Sequence, residues 1–295
     1  IEPSLPEQVA RVIAGLSAAR YEANIRHLES YWNRYYSTQD AVDSALWIAE
    51  QFGQGGHGRS DITVEVYHHQ GWPQPSVIAK IAGTNTALNE GIVLGGHEDS
   101  INRTVGATQR PRARAPGADD NASGAMAVLE VFNGYVASGI RPVRDIYFMT
   151  YAAEEVGLRG SAEIAADFKG RGVKIAAAFN LDMILYRGPA SKMGVTTSNT
   201  DARLNLFVEK VIDRYVGAPH ARRSCGYSCS DHASWDENGY SAVYLFETVD
   251  DISPWWHHPN DTVNASHVIS WGMNFVKTAA AFVTELSLTS GASAE

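Results

Sequence analysis

The chain has 295 residues, 44% hydrophobic and 19% charged, enough apolar material to bury the core of a single α/β domain covering 1–295. A formal net charge of −9 argues against nucleic acid or an anionic membrane as a partner, because both select basic surfaces. No apolar run reaches the roughly 18 to 20 residues that span a bilayer.

The first residues, "IEPSLPEQVARV", carry neither Met nor a basic segment leading into an apolar one, and read as the mature form of a secreted, extracellular protein. Apolar residues fall at helical spacing over 7–30 and 38–52, whereas "DITVEVYHH" (61–69) alternates as a strand does, with 76–83 as its hairpin partner. "GQGGHG" (53–58) matches a dinucleotide-binding glycine pattern letter for letter. It follows a helix and precedes a strand, the reverse of the order that aims a helix N-terminus at a pyrophosphate, so it reads as a plain loop.

Continuous apolar runs at 91–97, 145–153, 175–182 and 241–247 predict strands covered on both faces. Helical patterns occupy 121–138, 160–172, 201–217 and 267–286. The alternation predicts a three-layer α/β sandwich, a mixed, mostly parallel β-sheet flanked by helices on both faces, with 286–295 as a flexible tail. Ser123 has no G-x-S-x-G elbow around it and reads as a helix-start residue rather than a nucleophile. Cys225 and Cys229 are the only two cysteines and form either a local disulfide or a reactive pair; an exported chain favours the disulfide. A loop that short gives a bridge little leverage on global stability, so its expected role is local shape.

Three successive strands end in polar residues: His97 and Asp99 after the first, Glu154 and Glu155 after the second, and Asp182 after the third. In open α/β sheets the crevice beyond the carboxyl ends of the strands is where ligands bind. "APGADDNASG" adds Asp119 and Asp120 just before a helix, and "WWHHPNDT" adds His257 and His258 on a loop. Singly, each has a bland explanation as a cap or a hydrogen-bonded strand end. Together they point to a metal site.

Imidazole and carboxylate without thiolate suit zinc, with manganese or cobalt as alternatives. Two divalent cations against three carboxylates leave one positive charge, which a bridging hydroxide would cancel; one ion would leave the carboxylates in excess. The adjacent Glu154 and Glu155 then make sense as one coordinated carboxylate and one free general base.

In order, "GGHEDS", "PGADDNASG", "YAAEEVGLRGS", "NLDM", "CGYSCSDHASW" and "HHPNDT" resemble the two-zinc aminopeptidases of the bacterial leucyl aminopeptidase type, from about residue 20 to 280. That resemblance implies His97 and Asp182 as ligands of one zinc, Glu155 and His257 of the other, and Asp120 as the bridge between them. It also implies Glu154 as general base, Asp99 as the acid that orients His97, and a Cys225–Cys229 disulfide near the substrate pocket. Where relatives carry Thr after the last ligand this chain has His258, so two imidazoles compete for that role.

The implied activity is hydrolysis of the N-terminal residue from peptides by a monomer. Met183, Val195, Tyr227, Phe246 and Trp256 align near the side-chain pocket and suggest a large hydrophobic preference, although each could equally be core. The loop 101–118, with Arg103, Arg110, Arg112 and Arg114, is expected to be solvated rather than a gate to the site. Two rival readings are a single-zinc glutaminyl cyclase and a non-catalytic, peptidase-like binding domain.

Overall fold

In a computed structural model that describes residues 2–289, the chain opens with three helices, α1 (Pro6–Ala14), α2 (Ala18–Ser30) and α3 (Gln39–Gly55). The helical stretch expected over 7–30 is broken because Ser17 is extended and its side chain accepts the Arg20 N–H, starting a new helix. Strands β1 (Ile62–Tyr67) and β2 (Ser76–Ile81) then form the expected antiparallel hairpin. The first two glycines of "GQGGHG" lie in the last turn of α3.

The remaining elements alternate: β3 (Glu90–His97), α4 (Gly124–Ala137), β4 (Asp145–Tyr151), α5 (Arg159–Gly170), β5 (Lys174–Leu181), β6 (Met193–Thr196), α6 (Ala202–Val211), β7 (His220–Arg223), α7 (His232–Glu237), β8 (Ala242–Phe246) and α8 (Ile269–Leu288). They build one eight-stranded sheet in the order β1-β2-β4-β3-β5-β8-β6-β7. Strands β4, β3, β5 and β8 are mutually parallel, and antiparallel pairs occur at β1–β2, β2–β4 and β8–β6. The mixed, mostly parallel sheet is therefore as expected. Strands β6 and β7, four residues each, were not anticipated, since "MGVT" and "HARR" are too short to display a period.

Successive side chains of the central strands point to opposite faces. Ile92, Leu94, Ile146, Phe148 and Phe179 enter the larger core with Phe132 of α4 and Phe282 of α8. Val93, Tyr147, Met149 and Tyr151 face the other way, against Ile164 and Phe168 of α5 and Trp235 of α7. Two covered faces explain why these strands read as unbroken apolar runs. Each fully buried large side chain contributes about 1.5–3 kcal/mol, and Phe132 adds edge-to-face packing on Phe52 and Phe148 at 5.1 and 5.3 Å.

Strand β4 lies on one side of β3 and β5 on the other, so the winding reverses there and leaves a crevice at the carboxyl ends of the three strands. Of the segment expected to be a tail, Leu286–Leu288 form the last turn of α8, and 290–295 lie outside the described residues. Among the described residues, no helix is long and apolar enough to cross a membrane.

Candidate metal centre and active site

His97 is the last residue of β3, and Asp99 two residues on anchors the crevice. One Asp99 carboxylate oxygen accepts the Glu154 N–H at 3.0 Å and lies 3.2 Å from His97 Nδ1; the other accepts the Glu155 N–H at 3.1 Å. A single buried acid thus fixes the orientation of the imidazole and the turn after β4. In that turn Ala153 adopts φ 57°, and the two glutamates diverge. The Glu154 Oε2 lies 3.9 Å from His97 Nε2, while Glu155 Oε2 lies 2.9 Å from His257 Nε2.

Asp120 sits where the loop enters α4. Its backbone N–H and that of Asp119 donate to the two oxygens of the buried Asp261, at 3.0 and 2.9 Å. Asn121 stitches the same turn to the end of β5, accepting from Gly124 N and Met183 N and donating to the Leu181 carbonyl. Arg34, fully buried, donates to the carbonyls of Glu98, Pro116 and Gly117 and holds the approaching chain.

So positioned, Asp120 places Oδ1 3.1 Å from His97 Nε2 and Oδ2 3.1 Å from His257 Nε2. Asp182 completes one side, its Oδ1 3.4 Å from His97 Nε2 and its Oδ2 accepting from Ser230 Oγ at 2.6 Å. Two donor sets emerge, His97 with Glu154 and Asp182, and His97 with Asp120 and Glu155, each with its donor atoms within 4.8 Å of one another. His257 joins the second through its contacts to Asp120 and Glu155.

The neighbouring His257 and His258, and likewise Asp119 and Asp120, take different directions. His257, at φ 57°, turns its ring into the crevice, whereas His258 turns its own away and accepts the Asn260 N–H. Asp119 points elsewhere, one oxygen accepting from Leu185 N at 2.8 Å and the other lying 3.7 Å from His267 Nε2, while Asp120 is the one that meets His97 and His257.

The donor set fits a cation. Glu155 Oε1 is buried without a hydrogen-bond partner, and buried polar atoms are seldom left so, while His97 Nε2 is surrounded by carboxylate oxygens of Asp120 and Asp182 at 3.1 and 3.4 Å. Burial, then the neighbouring Asp120 charge, pushes the Glu155 carboxyl up to about 7, and burial carries Glu154 well above the carboxylate range. Burial alone would lower the His257 imidazole, but the Glu155 and Asp120 carboxylates against it carry it up to about 10. Converging acids that must hold protons when crowded together would release them to divalent cations.

Above these residues opens a cavity of about 620 Å³ that Met183, Tyr227, Phe246 and Trp256 help to line. Val195 is a correction: it does not line the cavity but lies in the larger core, because on β6 it pairs with Leu245 and shares that face, opposite to Phe246. The loop 101–118 is exposed at 103, 104, 106–109, 111 and 112, as a solvated loop is, and its Arg103 and Thr104 also line the cavity, Arg103 donating to the Glu155 carbonyl at 3.0 Å. Cys225 and Cys229 are joined in a disulfide, S–S 2.02 Å, beside Tyr227 at the cavity wall. Ser230, Asp261 and Arg34 went unnoticed in the sequence; the first two lie inside the "CGYSCSDHASW" and "HHPNDT" segments, while nothing marks Arg34.

Residues 76–280 match the model of peptidase family M28. A probable leucine aminopeptidase of Arthroderma benhamiae is 36% identical over 87% of this chain and 70% of its own length. The crystal structure of the Legionella pneumophila LapA aminopeptidase covers 98% of this chain and 76% of its own, with 31% identity and a TM-score of 0.90. A glutaminyl cyclase of Fimbriiglobus ruber covers 92% of this chain and 95% of its own at 14% identity and a TM-score of 0.70, a likeness of fold alone. The chain belongs to peptidase family M28. It is a zinc-dependent aminopeptidase, a hydrolase.

Proposed function

We propose that this chain removes the N-terminal residue from peptides with a free α-amino group, using two zinc ions and Glu154 as general base. His97 and Asp182 would hold one ion, Glu155 and His257 the other, with Asp120 between them. The observation that carries the reading is the Asp120 carboxylate, which meets a different imidazole with each of its oxygens at 3.1 Å. A single-zinc cyclase would leave one of those imidazoles without a task.

Zinc, when bound, supplies Lewis-acid polarisation of the scissile carbonyl and lowers the pKa of an attacking water. Glu154 takes the proton of that water and delivers it to the leaving amine, a role for which a buried carboxyl with a raised proton affinity is suited. Asp99 keeps the His97 Nδ1–H engaged, so that Nε2 presents its lone pair to the crevice. Apolar Met183 and Phe246 form the buried floor of the cavity and Tyr227 and Trp256 its exposed rim, which suits a large hydrophobic N-terminal side chain of the Leu or Phe kind. The Cys225–Cys229 bridge suits a secreted enzyme, since disulfides persist in oxidising compartments.

Replacing Glu154 with Gln is expected to leave zinc bound while kcat on a Leu-arylamide falls by about a hundredfold to ten-thousandfold. Metal content measured beside turnover decides the point. Undiminished turnover in E154Q would remove Glu154 from the mechanism.

A further inference from the structure

Arg223 is a cation on the wall of an otherwise apolar part of the cavity. It is the last residue of β7, an edge strand, yet its guanidinium lies 4.0 Å over the ring of Phe246 on β8, two strands away. The side chain reaches that far because Gly194 on the intervening β6 leaves the path open. A Cβ at Gly194 would come within 2.6 Å of the Arg223 Cδ and 2.5 Å of the Thr248 carbonyl. Gly194 pairs directly with Phe246 across β6 and β8, so the arginine stem crosses the sheet at the level of the ring it covers.

The guanidinium is not there to neutralise an acid. Among the described residues no carboxylate pairs with it, and its Nε is buried without a hydrogen-bond partner. Its partner is the Phe246 π-face, a stacked cation–π arrangement that suits a planar guanidinium. Phe246 packs with Met183 and Tyr244 in a small buried cluster that also lines the cavity, so the charge stands beside the apolar floor.

We infer that Arg223 selects the substrate's first side chain, turning away N-terminal Lys and Arg while admitting apolar, neutral and acidic side chains. The inference rests on the aminopeptidase reading above and names its substrate class. An N-terminal Lys or Arg long enough to fill the cavity would bring a second cation towards the guanidinium in a site partly shielded from water, where like charges repel strongly. A Leu or Met side chain meets only the ring and the arginine stem. An acidic side chain could pair with the guanidinium.

The test is kcat/KM of the zinc-loaded enzyme on Leu-, Glu-, Lys- and Arg-arylamides, read as the Lys:Leu ratio within each variant so that general losses of activity cancel. Wild type is expected to favour Leu and Glu over Lys and Arg. The ratio is expected to rise by about tenfold or more in R223M and further in R223E, and to stay at the wild-type value in R223K. R222M is the control; Arg222 is exposed and pairs with Glu209 instead. Wild-type enzyme cleaving Lys as fast as Leu, or a Lys:Leu ratio unmoved in both R223M and R223E, would overturn the inference and leave the aminopeptidase reading standing. No hydrolysis of any aminoacyl arylamide would overturn that reading and this inference with it.

Discussion

Asp99 shows how much one side chain can organise: it orients His97 and accepts two consecutive backbone N–H groups from the turn that carries both glutamates. An Asp99→Asn change keeps the size but replaces one accepting oxygen with an NH₂ that faces an N–H. Zinc affinity is expected to fall about 10–100-fold, read by competition with a chelator; unchanged affinity would show that the turn holds itself. A second residue-scale prediction concerns His232, stacked on Tyr244 at 4.6 Å and with Nε2 3.0 Å from the Ser198 carbonyl. Burial pulls its imidazole down to about 4. The unfolded chain, with an ordinary imidazole, takes up a proton before the folded one does, so stability falls as pH drops from about 6.5 towards 4. The loss reaches about 2 kcal/mol by pH 5. Chemical denaturation at pH 7 and pH 5 should show that gap narrowed in H232N. At this scale the residues that gather in the candidate metal centre were legible because a strand end exposes its polar residues in sequence as well as in space. Ser230, Asp261 and Arg34 were not, since each acts on a partner brought close only by folding, Ser230 on a carboxylate 48 positions away and Asp261 on amides more than 140 positions away.

Among elements, the start of α4 is the most constrained. Gly124 approaches the end of β5 so closely that a Cβ there would lie 2.3 Å from the Leu181 carbonyl and 2.4 Å from Asn121 Oδ1. Gly124→Val is therefore expected to cost about 1–3 kcal/mol by overpacking and to shift the turn that presents Asp120. Thermal melts with and without zinc should show a lower Tm and a smaller gain on adding metal; an unchanged gain would show that Asp120 is placed independently of the helix. The long central strands and the flanking helices could be read from their periods, and the crevice from their alternation. Strands β6 and β7 could not, and with them went the reason Val195 faces the core: its direction is set by pairing with Leu245, a partner 50 positions away. His257 against His258 was likewise decided by a loop conformation that no local pattern encodes.

For the molecule as a whole, folding gathers acids and imidazoles from five separate stretches of chain at one rim of the sheet, at a cost that burial makes plain. Without cations, Glu154 and Glu155 hold protons well above their ordinary range. Zinc binding and folding should accordingly be coupled, with protons released as metal enters. Calorimetric titration of the chelator-stripped protein with zinc, followed in parallel by Leu-arylamide turnover, tests the two-ion centre most directly. Two equivalents bound per chain, with activity completed by the second, are predicted. Saturation and full activity at a single equivalent would contradict it.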